Sequence, residues 1–285
     1  LLRNPLSVTG TVIVIGFIVV GILAPVIAPP KYPSEPYRIP RAGFSAQPKP
    51  PNEQHIFGTT QGQYDIWYGV VWGTRTAFRV GLIITGLTVL IGGLIGAISA
   101  YAGGWVDEVI QRFVEIVLAF PFLMAALTLA VVLAPKLHDQ FLAAMIALVA
   151  FSWPGYSRLI RGDVLSVKER DYVLAAKVIG VPAWRILWRH ILPNSIFSLL
   201  VVASLDIGTY VLSFAALSFL GLGAPAGYAD WGQLLSFARN WIPDLSNYWY
   251  IVVFPGFAIV LFVLGWNLIG DAFRDALDPK LRGNR

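Results

Sequence analysis

Charged side chains are scarce in this 285-residue chain, so the few that interrupt its apolar runs carry most of the chemical information. The three histidines, His55, His138 and His190, lie far apart with no metal-ligand spacing. Cysteine is absent, which removes disulfides, thiolate metal sites and thiol nucleophiles. There is no G-x-x-x-x-G-K-S/T phosphate loop, because GVPAWR at Gly180 to Arg185 lacks the second glycine and the lysine. No catalytic cluster stands at the edge of an apolar run, so no catalytic residue, metal or directly bound cofactor is expected. One acid remains, Asp206, deep inside an apolar run. A carboxylate in hydrocarbon costs several kcal/mol, so Asp206 must face the helix bundle, a partner subunit or water. It is a candidate for lining a translocation path, beside a plainer role as an internal hydrogen-bonding group.

A second concentration of chemistry reads RGDVLSVKERDYVLAAKVIGVPAWRILWRHILPN, from Arg161 to Asn194. Val167 to Ile179 is good helix material, charged at its start and apolar toward its end. Gly180 offers a stop, and Pro182 can open a second helix because the first helical turn needs no proline N–H. Ala175, Ala176 and Gly180 remove bulk along one side, which suits close approach by another protein. Trp184, Ile186, Leu187 and Trp188 alternate with Arg185 and Arg189, as in an interfacial helix with an aromatic anchor. A loop serving only to set topology would need the charge but not this helix–Gly–Pro–helix order.

These residues must be positioned by membrane helices. Hydrophobic side chains make up 56% of the chain and charged ones 13%, about half the charged share of a soluble domain. Mean hydropathy is +0.68, and several uncharged runs reach the roughly 20 residues that span a bilayer. Six spans fit: 8–27, 80–100, 115–135, 141–157 (with continuation past Pro154 open), 195–217 and 250–269. The first lacks a small-x-small cleavage site after its apolar core, so a retained helix is expected rather than a signal peptide. The proline-rich segment from Lys31 to Tyr68 cannot lie in hydrocarbon, where its backbone would go unpaired. Gly92 and Gly96, four apart in the second span, suggest a close helix crossing.

The fold class is therefore an all-α polytopic membrane protein. The expected organisation is an N-terminus and first helix over 1–30, an external segment over 31–75 and a core of five helices over 76–270. That core carries an inner loop over 158–190 and an external loop over 221–248, and a tail follows over 271–285. Lysine and arginine cluster in the segments that an N-terminus-inside topology places in the cytoplasm, which puts both termini there. The net charge of +5 follows this topological pattern, so a nucleic-acid partner is not expected. Tyr228, Trp231 and Trp241 in the external loop are candidates for a protein-docking surface, with an interfacial aromatic belt as the competing reading. Asp271, Arg274, Asp275, Asp278 and Lys280 alternate in sign on a short tail helix, and Asp107, Glu108, Arg112 and Glu115 read as a locally paired cluster.

DYVLAAKVIG followed by RHILPN resembles the cytoplasmic "EAA" loop of binding-protein-dependent ABC importer permeases, in particular the C-type permease of the dipeptide/oligopeptide/nickel branch. Ala175, Ala176 and Gly180 fall on that loop's alanines and glycine, and Leu192 and Pro193 on its closing pair. Leu174 stands at its acidic position, with Asp171 one turn earlier. HIFGTTQGQYDIWYGVVWGTRTAFRVG from His55, LSFLGLGAPAGYADWGQLL from Leu217, NLIGDAFRDALDPKLRG from Asn267 and RNPLSVTG from Arg3 are similar to the same branch, so the likeness runs nearly full length. Gln63 and Tyr64 replace the usual glycine-arginine of the first stretch. The resemblance implies a type I ABC importer permease fold and a prokaryotic inner-membrane location. It further implies a coupling helix in which Lys168, Asp171, Leu174, Ala175, Ala176, Gly180 and Pro182 meet an ATPase. Implied partners are a homologous second permease, two ATPase subunits holding ATP and Mg, an extracytoplasmic binding protein, and lipid. Peptide is the cargo the resemblance favours, with nickel or oligosaccharide as alternatives. An ion-coupled carrier is the main reading from another class, and it would call for more ionisable residues at mid-membrane than Asp206.

Overall fold

The computed structural model describes residues 5–277. Its elements are all helical: α1 (Pro5–Ile27), α2 (Ile66–Ala102), α3 (Gly104–Leu118), α4 (Phe122–Leu137), α5 (Gln140–Lys168), α6 (Asp171–Val178), α7 (Ala183–Ile186), α8 (Leu192–Phe219), α9 (Trp231–Ser236) and α10 (Leu245–Leu277). Five long helices are apolar enough to cross a membrane, namely α1, α2, α5, the run Ala183–Phe219 and the run Arg239–Asp275. The pair α3 and α4 passes the same test only jointly and is bent by 87°. The chain is thus an all-α, multi-pass membrane protein with five spans, or six if the bent pair is one.

Several elements differ from the sequence expectation. α2 begins fourteen residues before the expected span at Val80, because Asp65 caps it, its carboxylate accepting from Tyr68 N at 2.9 Å. The added turns carry Arg75 and Arg79 but bury Trp72, whose indole N–H donates to Ala28 O at 2.9 Å. The third span is broken at Ala119–Pro121. Proline cannot donate, and it disfavours helical backbone at the residue before it. Pro154, by contrast, sits inside a continuous α5 that runs on to Lys168. The expected interfacial helix and fifth span also merge. α7 passes through a π-helical stretch, Leu187–Ile191, into α8, and the wider register lies just before Pro193, where a backbone N–H is missing. α10 continues past the expected end at Ile269 to Leu277, so residues 271–277 extend the last span rather than form a separate helix. Asp278 and Lys280 lie outside the described residues.

The bundle is organised around α2 and α5. A Cβ at Gly92 would collide with the Trp153 carbonyl oxygen, and one at Gly96 with that of Ser157, so the close crossing expected from the glycine pair is present. On one end of the bundle, the C-terminal ends of α1 and α8 meet the N-terminal ends of α2 and α5. Residues 31–65 cover this end without regular structure but not loosely. Ile39 is buried, its N–H donates to Gly227 O at 2.9 Å, and Ala229 N returns a bond to Tyr37 O at 2.7 Å. At the opposite end stand the start of α1, the close of α2, the end of α5, α6, α7 and the close of α10. Arg158, Arg161, Lys168, Arg170, Lys177, Arg185 and Arg189 gather there.

Candidate coupling and translocation site

α6 is a one-knob projection between two spans. α5 runs on to Lys168, so the loop helix begins at Asp171, one turn later than the Val167–Ile179 reading has it. Glu169 and Arg170 turn the chain, with Arg170 N bonded to Val167 O at 3.1 Å. The new helix then runs eight residues and ends in a Schellman motif. Gly180 N donates to Lys177 O and Val181 N to Ala176 O, both at 3.0 Å. Gly180 has φ +78°, the left-handed conformation that favours glycine. Pro182 is the N-cap of α7 rather than its first residue.

Only Val173 and Ala176 of α6 face inward, against the cluster that includes Val164, Val167, Ile186 and Ile191. The rest points out. Val178 is 86% and Ile179 78% exposed, and Tyr172 and Leu174 are also exposed. Among the expected contact residues, Asp171, Leu174, Ala175 and Gly180 lie on this outer surface, whereas Ala176 is buried. Lys168 is turned inward, its Nζ donating to the Ala100 and Tyr101 carbonyls at 3.1 and 2.9 Å.

Asp206 lies on α8 and is partly enclosed. Its Oδ2 accepts from the Tyr156 hydroxyl of α5 at 2.7 Å, and no cation pairs with it among the described residues. Nearer the α6 end, Asp163 Oδ2 accepts from Ser198 Oγ, again across α5 and α8. A Cβ at Gly155 or Gly162, on the same part of α5, would meet nothing within 4 Å. The two helices therefore present carboxylates at two depths. The sequence singles out Asp206 but not Asp163 or Tyr156, whose contacts with α8 depend on which face of α5 meets it.

The external aromatics separate. Tyr228 stacks on Tyr37 with centroids 5.3 Å apart and lines a cleft of about 790 Å³ with Lys31, Arg38, Arg41 and Phe44. Trp241 is half-buried against Tyr248, 4.4 Å away. Trp231 is only 2% exposed; its ring packs on Phe17 and Phe262 and its N–H donates to Val70 O at 3.0 Å. In this structure Trp231 is core, because it closes α9 against α2 and α10, and it offers no surface for docking. Beside it, Asp230 caps α9 through Gln233 N at 2.9 Å, and burial pushes its carboxyl up to about 6.

The acidic cluster near Asp107 pairs differently from the local reading. Arg112 does meet Glu115, at 3.1 Å on the surface. Asp107 instead accepts two bonds from Arg161 of α5, at 2.7 and 2.5 Å, and a third from Ser99 at 2.5 Å. Among the described residues no group of three or more His, Cys, Asp or Glu side chains could hold a metal.

The described residues form a multi-helix membrane bundle with a short projecting helix between two of its spans. Comparison makes this particular: residues 92–283 match the family model of the binding-protein-dependent transport system inner membrane component, and the chain belongs to that family. Residues 1–51 match the N-terminal TM domain of oligopeptide transport permease C, which places it in the C-type branch for dipeptides, oligopeptides and nickel. It is 38% identical to the dipeptide transport system permease protein DppC of Alkalihalophilus pseudofirmus, over 98% of this chain and 88% of that one. Identity is also 38% to the probable D,D-dipeptide transport system permease protein DdpC of Escherichia coli (strain K12), over 99% and 90%. With the oligopeptide transport system permease protein OppC of Bacillus subtilis (strain 168) it is 36%, over 98% and 87%. In fold, the chain is similar to an inward-facing structure of the MetNI methionine ABC transporter, with TM-score 0.60 and 16% identity over 75% of this chain and 97% of that chain.

Proposed function

We propose that this chain is one permease half of an ATP-driven importer of dipeptides or oligopeptides in a prokaryotic inner membrane. It would form the path with a homologous second permease and receive cargo from an extracytoplasmic binding protein. The chain itself is non-catalytic; two separate ATPase subunits hold Mg and ATP and hydrolyse the ATP. In this reading there are six spans, with α3 and α4 together as the third. The basic end of the bundle is cytoplasmic, as are both termini, which follows from the excess of lysine and arginine near the helix ends there. The peptide cargo is supported by the names of the relatives matched over nearly the whole chain.

One observation carries the reading. α6 and its C-cap Ile179 hold an apolar outer surface, Tyr172, Leu174, Val178 and Ile179, between two spans, and no segment among the described residues covers it. An exposed patch of this kind marks a protein or membrane contact, and a groove in an ATPase is the partner that the family supplies. Leu174 at the usually acidic position extends the apolar surface, so docking here relies on packing rather than on a carboxylate at that point. The path runs along α5 and α8, where Asp206 lines it from its seat against Tyr156. External contact falls to Tyr228 and Trp241.

Purification in mild detergent with the partner genes expressed should recover two ATPase subunits. Proteoliposomes should then take up labelled peptide only with ATP and binding protein. Gly180→Trp should lower peptide moved per ATP at least tenfold, and Asp206→Asn should slow uptake while leaving the complex assembled. Uptake indifferent to nucleotide would remove the importer reading; normal uptake by Asp206→Asn would remove only that residue's role.

A further inference from the structure

α6 lies only three residues beyond Lys168, yet Lys168 and Arg161 both reach away from it, back to the corner where α2 gives way to α3. The contacts are of two kinds. Arg161 grips Asp107, in the first turn of α3, with two guanidinium nitrogens, Nε to Oδ1 at 2.7 Å and Nη2 to Oδ2 at 2.5 Å. Such a fork fixes orientation as well as distance. Ser99 of α2 completes the tie by donating to the same carboxylate at 2.5 Å, and Gln111 of α3 donates to Ser99 Oγ at 3.0 Å. Lys168 Nζ bonds the carbonyls of Ala100 and Tyr101, two of the terminal acceptors that α2 cannot satisfy internally. A cation at a helix C-terminus is also favoured by the helix dipole.

These bonds join three helices within a short stretch of chain, and the joint continues inward. Gly92 and Gly96 of α2 sit directly on the backbone of α5 at Trp153 and Ser157, leaving no slack for sliding. The opposite holds about three turns further along α3. α3 and α4 meet at 87° across Ala119–Pro121, where proline leaves the ladder of backbone bonds interrupted. α3 beyond its first turn buries only Val114.

We infer that Asp107, Arg161 and Lys168 are positioning residues that fasten the α2–α3 corner to the end of α5, so that α6, α5, α2 and the start of α3 move as one lever, with the bend taken up at Ala119–Pro121. This rests on the coupling role proposed for α6. It adds that force entering α6 is passed sideways into α2 and α3 through charged side chains, not only along α5. Simple charge neutralisation would be met equally well by a lysine at 161. The two-point hold would not.

The test uses the full complex with its binding protein and a labelled dipeptide. Arg161→Lys keeps the charge and loses the fork; Lys168→Met keeps the stem and loses the carbonyl bonds. Both complexes should retain their ATPase subunits and hydrolyse ATP, while dipeptide moved per ATP falls at least fivefold. A second readout needs no transport. The chain has no cysteine, so spin labels can be placed by single substitutions at the exposed Trp105, Met124 and Lys177. In the wild-type background, the 105–177 distance should stay fixed between nucleotide-free and ATP-trapped states, while the 105–124 distance changes. In Arg161→Lys the 105–177 distance should change too. The inference is overturned if both variants move dipeptide per ATP within twofold of wild type, if their losses merely track dissociation of the ATPase, or if 105–177 shifts in the wild type as much as 105–124. A wild-type complex without nucleotide-dependent uptake would sink the importer reading and the lever with it. Indifferent variants in a coupled complex sink the lever alone.

Discussion

Two aspartates in apolar surroundings show how differently one residue type can be housed. Asp206 is set between spans, held by a tyrosine hydroxyl and left open on one side. Asp230 lies outside the spans, fully enclosed at the start of α9, with backbone N–H donors of Gly232 and Gln233 and the Ser218 hydroxyl around it. Those donors favour the carboxylate, but desolvation wins and its pKa rises from 3.8 to about 6. The sign of the linkage follows. The folded state holds this proton more tightly than the unfolded state, so the associated stability is full below about pH 4 and is lost as pH rises through about 6. Above that, the buried charge costs on the order of 3 kcal/mol. Asp230→Asn keeps the capping oxygen and removes the charge. It should raise the melting temperature in detergent at pH 7.5, and it should flatten the difference between pH 5 and pH 7.5 relative to wild type. An unchanged pH difference would show that Asp230 is ionised and satisfied in the fold.

At the scale of elements, the α2–α5 crossing is set by two glycines whose missing side chains admit the facing backbone. Gly96→Val would drive its Cβ into the Ser157 carbonyl, a clash with main chain that no rotamer change relieves. Overpacking of this kind costs about 1–3 kcal/mol, so a fall of several degrees in detergent melting temperature is expected, with loss of uptake. Gly86→Ala, on the same helix with nothing within 4 Å, is the control and should be neutral or slightly stabilising. Equal melting of the two variants would show that the crossing is not tight. This crossing was legible from the i, i+4 glycine spacing, as were the apolar runs and the stop at Gly180. What composition could not reveal were features decided by partners far along the chain. The early start of α2 depends on a cap at Asp65 and on Trp72 reaching Ala28. The burial of Trp231 depends on Phe17 and Phe262, which lie on the first and last spans. Asp107 sits among Glu108, Arg112 and Glu115 in sequence, yet its partner is 54 residues away, and only packing selects Arg161 over Arg112. Pro121 coincides with the break between α3 and α4, whereas Pro154, like Pro25 and Pro255, lies inside a continuous helix, so a proline in an apolar run does not by itself locate a break.

The whole molecule has two unlike ends, and the proposed mechanism needs them on opposite sides of a membrane. At one end, residues 31–65 and 221–244 make a fixed cover with an open cleft. At the other, basic side chains surround the α6 projection. Transmission from an ATPase to the path requires that α6 face the compartment where ATP is available, which is the orientation proposed above from the charge bias. Because this chain has no cysteine, labelling read on the purified chain after a single substitution comes from the introduced thiol alone. A cysteine replacing Phe44, which is 94% exposed, should react with a membrane-impermeant maleimide added outside intact cells. One replacing Lys177 should react only after the membrane is opened. In the assembled complex, a cysteine at Val178 should be protected further, because the ATPase would cover it. Labelling of Lys177→Cys from outside would place α6 on the wrong side for any ATP-driven motion to reach it. Labelling of both positions from the same side would mean that the two ends of the bundle do not straddle the bilayer as their charges and contacts require.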